Sequence, residues 1–220
     1  MWKKEGIVMT TIYLVRHCEC TANVERRLSG IVDYPITEKG KGQLDGLAER
    51  FRSQTLDAVY TSPLSRTRAT AEAIARYNGA AVSVDERFIE FDFGSIDGEH
   101  VKDLPADLYH LWLDEAHAFY APDGDRITEF GPRVWQALLA LAQENKGKTV
   151  AVATHGNVIR SIGLRLMHMA EEQLGEVQWS GNTGVHGIRF DEDGNWEYFL
   201  KNDTSHVSAE FAGPLERPWR

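Results

Sequence analysis

The chain has 220 residues, 42% of them hydrophobic, with a formal net charge of -9 at pH 7, which is material for one large α/β domain with a full core. The excess of 33 Asp and Glu over 24 Lys and Arg argues against nucleic acid or an anionic membrane as partner, since either demands a basic surface. No apolar run reaches the ~18 residues of a membrane span, and two cysteines, Cys18 and Cys20, are too few for a disulfide framework.

Met1 to Thr10 carries lysines but no apolar stretch of about 7 to 15 residues, so it does not read as a secretory signal and the expected location is cytoplasmic. Met9 is a candidate alternative start, which makes residues 1–8 an expected flexible tail on a single domain spanning 1–220. The first apolar run, Thr11 to Val15, predicts a buried strand that ends at Arg16-His17. Thr37 is placed to cap a helix through residues 38–53, with Leu44, Leu47, Ala48 and Phe51 at helical spacing. A second strand covers Asp57 to Tyr60, and Pro63 marks the start of a helix that puts Arg66 in its first turn and ends at Asn78-Gly79. A short strand, Ala81 to Val84, leads to Glu90, whose apolar neighbours Ile89, Phe91 and Phe93 favour its neutral, proton-donating form.

A helix is expected over Phe130 to Gln143, followed by a strand from Thr149 to Ala153 that ends at Thr154-His155. The helix after it, Asn157 to Met169, offers first-turn N–H groups to an anion. Thr183 to Phe190 and Trp196 to Leu200 flank Asp191-Glu192-Asp193-Gly194-Asn195, a hairpin pattern at a sheet edge. The expected architecture is a three-layer α/β/α sandwich with a mainly parallel sheet and an antiparallel edge. In such sheets ligands bind beyond the carboxyl ends of the strands. Arg16, His17, Arg66, Glu90 and His155 all fall there, and they form a set suited to phosphoryl transfer: fixed cations around a nucleophile and a proton donor.

RHCECTAN, RLSGIVDYPITEKG, TSPLSRTRATA, IEFDFG, VATHGNVIR and the closing NDTSHV occur in the order found in the histidine phosphatase superfamily, which includes the cofactor-dependent phosphoglycerate mutases. The chain resembles that family over nearly its whole length. The resemblance implies a phosphoglycerate mutase-like fold and a phosphoric monoester hydrolase of the histidine acid type. It makes His17 the nucleophile that becomes phosphohistidine, Glu90 the proton donor and later the base for water, and His155 the second catalytic histidine. Arg16, Asn23, Ser29, Arg66 and Gly156 become the substrate contacts. No metal and no cofactor is implied, and the Cys18-x-Cys20 pair lacks the second pair that a zinc site needs. The partner is a small phosphomonoester, with the oligomeric state left open, a homodimer included.

Cys18 stands where the family usually has glycine. Its Cβ is expected to narrow the pocket, and its thiol, beside two arginines, is expected to have a lowered pKa and to react with iodoacetamide under phosphate protection. Between Phe91 and Phe130 ten Asp or Glu face only Lys102 and Arg126. This stretch is expected to form a lid that repels anionic leaving groups, while Phe91, Phe93, Tyr109, Trp112, Phe119 and Tyr120 favour aromatic ones. The absence of a basic lid insertion favours hydrolysis over the mutase-type alternative, and the intact charged set speaks against a non-catalytic phosphate-binding module.

Overall fold

A computed structural model of the chain describes residues 8–213; the expected tail over residues 1–8 lies, but for its last residue, outside the described residues. Strands β1 (Thr10–Arg16), β2 (Ala58–Thr61), β3 (Val82–Val84), β4 (Thr149–Thr154), β5 (Val185–Phe190) and β6 (Trp196–Asp203) form one sheet in the order β3-β2-β4-β1-β5-β6. The first four are mutually parallel, and β5 and β6 add the antiparallel edge as a hairpin.

Helices α1 (Thr21–Glu25), α2 (Glu38–Phe51), α3 (Ser65–Ala75), α4 (Ala106–Asp114), α5 (Ile127–Glu144) and α6 (Gly156–Leu166) complete the fold. Side chains alternate across a strand, and both central strands use this to feed two cores. Ile12 and Leu14 of β1 with Val150 and Val152 of β4 join α5, α6 and the segment after Glu90. Val15, Ala151 and Ala153 face the other way, onto Leu44, Leu47 and Phe51 of α2 and Ala71 and Ile74 of α3. Each fully buried aliphatic side chain contributes about 1.5–3 kcal/mol, so the two apolar faces define the three layers.

Several boundaries differ from the sequence expectation for visible reasons. α3 stops at Ala75, and Gly79 takes the left-handed turn (φ 71°) after it. α5 begins at Ile127 and carries Pro132 within its second turn, although a proline there removes one helical hydrogen bond. α6 ends at Leu166, and His168 reverses the chain with φ 56°. The residues between Gly94 and Ala118 fold into α4 and short 3₁₀ turns, for which the sequence shows no clean periodicity.

α2 does more than cover the sheet. Thr37 caps it by accepting from the Gly40 N–H (2.9 Å) and donates to the Glu19 carboxylate (2.8 Å), while Gln43 accepts the Glu19 N–H (2.9 Å). Gly40 lies so close to the loop after β1 that a Cβ would sit 2.2 Å from the Glu19 carbonyl oxygen. Gly40→Ala is therefore expected to force backbone apart and destabilise by about 1–3 kcal/mol, lowering the melting temperature by roughly 3–10 °C in a thermal scan.

Candidate active site

Parallel pairing of β1 with β4 sets Arg16 opposite Thr154, and the His17 N–H donates to the Thr154 carbonyl (2.9 Å). The next residues, His17 and His155, therefore leave adjacent strands side by side, with ring centroids 5.4 Å apart. Both rings are buried. Burial, reinforced by the positive charge of Arg66, holds each well below the usual imidazole range, so both are neutral at physiological pH.

His17 Nδ1 lies 2.7 Å from the carbonyl oxygen of Cys18. A carbonyl only accepts, so Nδ1 carries the proton and Nε2 keeps its lone pair. His155 pairs through Nε2 with Ser62 Oγ (2.7 Å), and its Nδ1 is buried without a partner.

The arginines reach the site differently. Arg66, from the first turn of α3, is fully buried, and its terminal nitrogens donate to the carbonyls of Ser29, Gly30 and Val32. Its Nε has no partner, nor has the Nε of Arg16. Arg16 donates through Nη1 to the Ser180 carbonyl, and burial lowers its pKa despite the nearby Glu90. Two buried guanidinium N–H groups and the buried Ser29 Oγ are thus without partners, a donor set chemically suited to an anion that brings its own acceptors.

Glu90 is buried, and its oxygens accept from the N–H groups of Phe91 (3.0 Å) and Asn157 (3.2 Å). Burial outweighs these bonds and the arginines and raises its pKa. One first-turn N–H of α6, expected to serve an anion, is thus spent on this carboxyl. Asn23 Oδ1 accepts from the N–H of Cys20 (3.1 Å) and from Asn182 (3.2 Å), which leaves its amide nitrogen as a donor.

Arg16, His17, Asn23, Ser29, Glu90 and Gly156 line one cavity together with Arg27, Leu28, Phe93, Trp112, Asn157 and Trp179. Arg66 and His155 are not among its lining residues; His155 packs against the His17 ring, and Arg66 donates to the Ser29 carbonyl. Arg27, Trp179 and Asn182 escaped the sequence reading, and loop residues without periodicity gave no signal for them. Trp179 touches the α6 start so closely that a Cβ on Gly156 would sit 2.9 Å from its ring. Trp112 closes the other side, 5.8 Å from Trp179 and edge-on to Phe93 and Phe119.

Two expectations are corrected. Cys18 does not narrow the cavity: it is fully buried in the apolar layer of Leu44, Leu47 and Ile74, because its side chain points to the α2 and α3 face. Its thiol is not activated either, since burial pushes its pKa up to about 12. The lid carboxylates do not charge the cavity. Asp97 accepts the N–H groups of Gly30, Ile31 and Val32, Asp92 accepts that of Gly94, and Asp125 accepts that of Asp92. Among the described residues, Glu90 is the only carboxylate in the cavity wall. Phe91 and Phe119 belong to the core, whereas Phe93 and Trp112 do face the cavity.

The histidine phosphatase superfamily (branch 1) family model matches residues 12–204. The probable phosphoglycerate mutase GpmB of Citrobacter koseri is 30% identical, with 95% of this chain aligned to the whole of that protein. Among solved structures, YhfR of Bacillus stearothermophilus has a TM-score of 0.85 at 28% identity, covering 90% of this chain and all of its own. The phosphoserine phosphatase of Entamoeba histolytica, in complex with 3-phosphoglyceric acid, has a TM-score of 0.79 at 28% identity, with the same 90% and 100% coverage. Among the described residues no group of three or more His, Cys, Asp or Glu is placed to hold a metal ion, and no helix is long and apolar enough to cross a membrane.

The burial of Cys18 generates a prediction opposite to that from sequence. Iodoacetamide should leave the native protein active, and inorganic phosphate should make no difference to labelling. Cys18→Gly should keep kcat within about twofold while destabilising by roughly 1–2 kcal/mol through a lost core group and a freer backbone, as read by denaturant titration. Rapid inactivation by the reagent would refute the placement.

Proposed function

The chain belongs to the histidine phosphatase superfamily (branch 1), and we propose that within it this protein is a phosphomonoester hydrolase that works through a phosphohistidine and without a metal ion. One observation carries the reading: a histidine locked with Nε2 unprotonated shares a cavity with a carboxyl whose protonated form burial favours. Nucleophile and acid are thus each biased toward the protonation state that the first step consumes.

In that step the His17 Nε2 lone pair attacks phosphorus in line, the bond to the ester oxygen breaks, and Glu90 gives that oxygen its proton. Arg16 and Arg66 receive the phosphoryl oxygens on their free Nε–H groups, Asn23 on its amide and Ser29 on its hydroxyl. Water then enters. Glu90, now a carboxylate, takes its proton as the oxygen attacks phosphorus; the P–N bond breaks, and orthophosphate leaves with His17 neutral again. The neutral His155 lies beside the nucleophile and presents its unpartnered Nδ1 edge.

Hydrolysis is favoured over mutase-type transfer by the cavity wall. A bisphosphate held in two orientations needs a second cationic set, and among the described residues the only further cation there is Arg27, which already pairs with Glu25 and the Gly98 carbonyl. The test is a phosphomonoester panel run with and without 2,3-bisphosphoglycerate, with acid-labile phosphate trapped on the protein. Turnover without the bisphosphate supports the hydrolase, and strict dependence on it supports the mutase. His17→Ala should abolish turnover and trapped phosphate together, whereas a phosphoenzyme surviving that change would reassign the nucleophile.

Glu90 sets the pH profile. Its raised pKa means that the acid form persists to higher pH than for an ordinary carboxyl, so phosphorylation by alkyl esters should fall as pH rises through that pKa. The depressed pKa of His17 keeps the nucleophile competent well into the acid range. Glu90→Gln should remove this basic fall and slow alkyl phosphates by about 10²- to 10⁴-fold, with p-nitrophenyl phosphate, whose leaving group needs no proton, slowed far less. Equal loss on both substrates in single-turnover experiments would make Glu90 a structural residue.

The aromatic walls shape the leaving-group side. Aryl esters should outperform small alkyl esters in kcat/KM, and Trp179→Ala should cut that advantage by about tenfold, the scale of one aromatic contact. Because no lid carboxylate faces the cavity, added salt should leave the preference unchanged. A preference that collapses with salt would restore the electrostatic account of the lid.

A further inference from the structure

Residues 180–184 take no part in the steps above, yet they grip the end of β1. Asn182 donates to the His17 carbonyl (3.1 Å) and to Asn23 Oδ1 (3.2 Å), and the Thr183 N–H donates to the Arg16 carbonyl (3.1 Å). The Ser180 carbonyl accepts from Arg16 Nη1. Whatever fixes Ser180 therefore aims a guanidinium that is proposed to bind the phosphoryl group.

Behind Ser180 runs a partly buried chain of hydrogen bonds centred on the buried His186. The Asn202 N–H points at His186 Nδ1 (3.4 Å), so Nδ1 carries no proton and Tyr198 must donate its hydroxyl hydrogen there. His186 is then protonated on Nε2 and donates to Ser180 Oγ (2.9 Å). Ser180 Oγ in turn donates to Asn202 Oδ1 (3.2 Å), which also accepts the Gly181 N–H (2.8 Å). Burial keeps His186 neutral, with a pKa lowered to about 4. A protonated ring would lose the acceptor that Tyr198 and Asn202 share.

The sequence is shaped around this chain. The β5–β6 pairing shifts register between Val185 and Ile188, and Asn202 on the facing strand adopts φ 46°. Gly184 leaves the necessary room, since a Cβ there would sit 2.5 Å from Asn202 Oδ1 and 2.7 Å from Ser180 Oγ.

We propose that His186 is a positioning residue for Arg16, acting through Ser180 to hold the guanidinium in the geometry that binds a tetrahedral oxyanion. The inference rests on the proposed role of Arg16 in phosphoryl binding, and binding of orthovanadate by calorimetry tests it without requiring turnover. His186→Phe, which keeps the ring volume but not the donor and acceptor, should weaken vanadate binding by about tenfold, the scale of a misaimed contact. His186→Gln should restore affinity to within about threefold. Tyr198→Phe and Ser180→Ala should weaken it in the same direction, which covers the case in which His186→Phe does not fold. In an Arg16→Lys background, His186→Phe should add less than about twofold, because both changes act through one contact.

Wild-type affinity in folded His186→Phe, Tyr198→Phe and Ser180→Ala, or full additivity with Arg16→Lys, would overturn the proposal. A wild-type protein that binds vanadate in this pattern but hydrolyses no ester would leave the positioning role standing and sink the hydrolase reading alone. Failure of the wild type to bind vanadate would overturn both.

Discussion

Arg66 carries a full charge into a place where it has no solvent exposure, and its one ion-pair partner, Asp33, is 42% exposed. A buried charge costs several kcal/mol unless it is paired and hydrogen-bonded, and beside the single contact to Asp33 (3.3 Å) the site meets that cost with backbone. Carbonyls of the 29–32 loop turn inward to Arg66, while the N–H groups of Gly30, Ile31 and Val32 turn outward to Asp97. The loop is thus a layer of aligned peptide dipoles between a buried cation and an acid from the segment after Glu90. Because dipoles compensate the charge without cancelling it, the guanidinium still attracts an incoming anion.

That residual field acts, after burial, on the protonation of its neighbours. It adds to burial in keeping His17 and His155 neutral, as a nitrogen nucleophile requires. It opposes burial at Glu90, which two N–H bonds also favour as carboxylate, and burial wins. A carboxyl balanced between these effects is suited to give up a proton as negative charge departs and to take one back afterwards.

How far this was legible in the chain depends on the kind of signal. The strand runs 11–15 and 149–153 are short, apolar and end in charged residues, so the two histidines could be placed at strand ends, and the three layers followed from the alternation of strands and helices. Cys18 could not be oriented, because the two-residue alternation of β1 stops at Arg16 and nothing local says which layer the next side chains enter. The ten carboxylates between 91 and 130 misled for a related reason. A count of charges carries no direction, and turns consume Asp92, Asp97 and Asp125 as hydrogen-bond acceptors. Trp179 and Asn182 sit in a connection with neither helical nor strand period, and their importance arises only from what the fold brings opposite them.

The pairing of β1 with β4 also divides the cavity between two kinds of support. His17 and His155 are the first residues beyond the last rung of the central parallel ladder, Arg16 opposite Thr154, so the spacing of two neighbouring strands sets where both begin. Trp112 and Trp179 sit outside that ladder, on α4 and on the connection that leads into β5. The two imidazoles and the aromatic walls of the cavity are thus borne by separate parts of the fold, with the stretch 180–184 as the bridge between them.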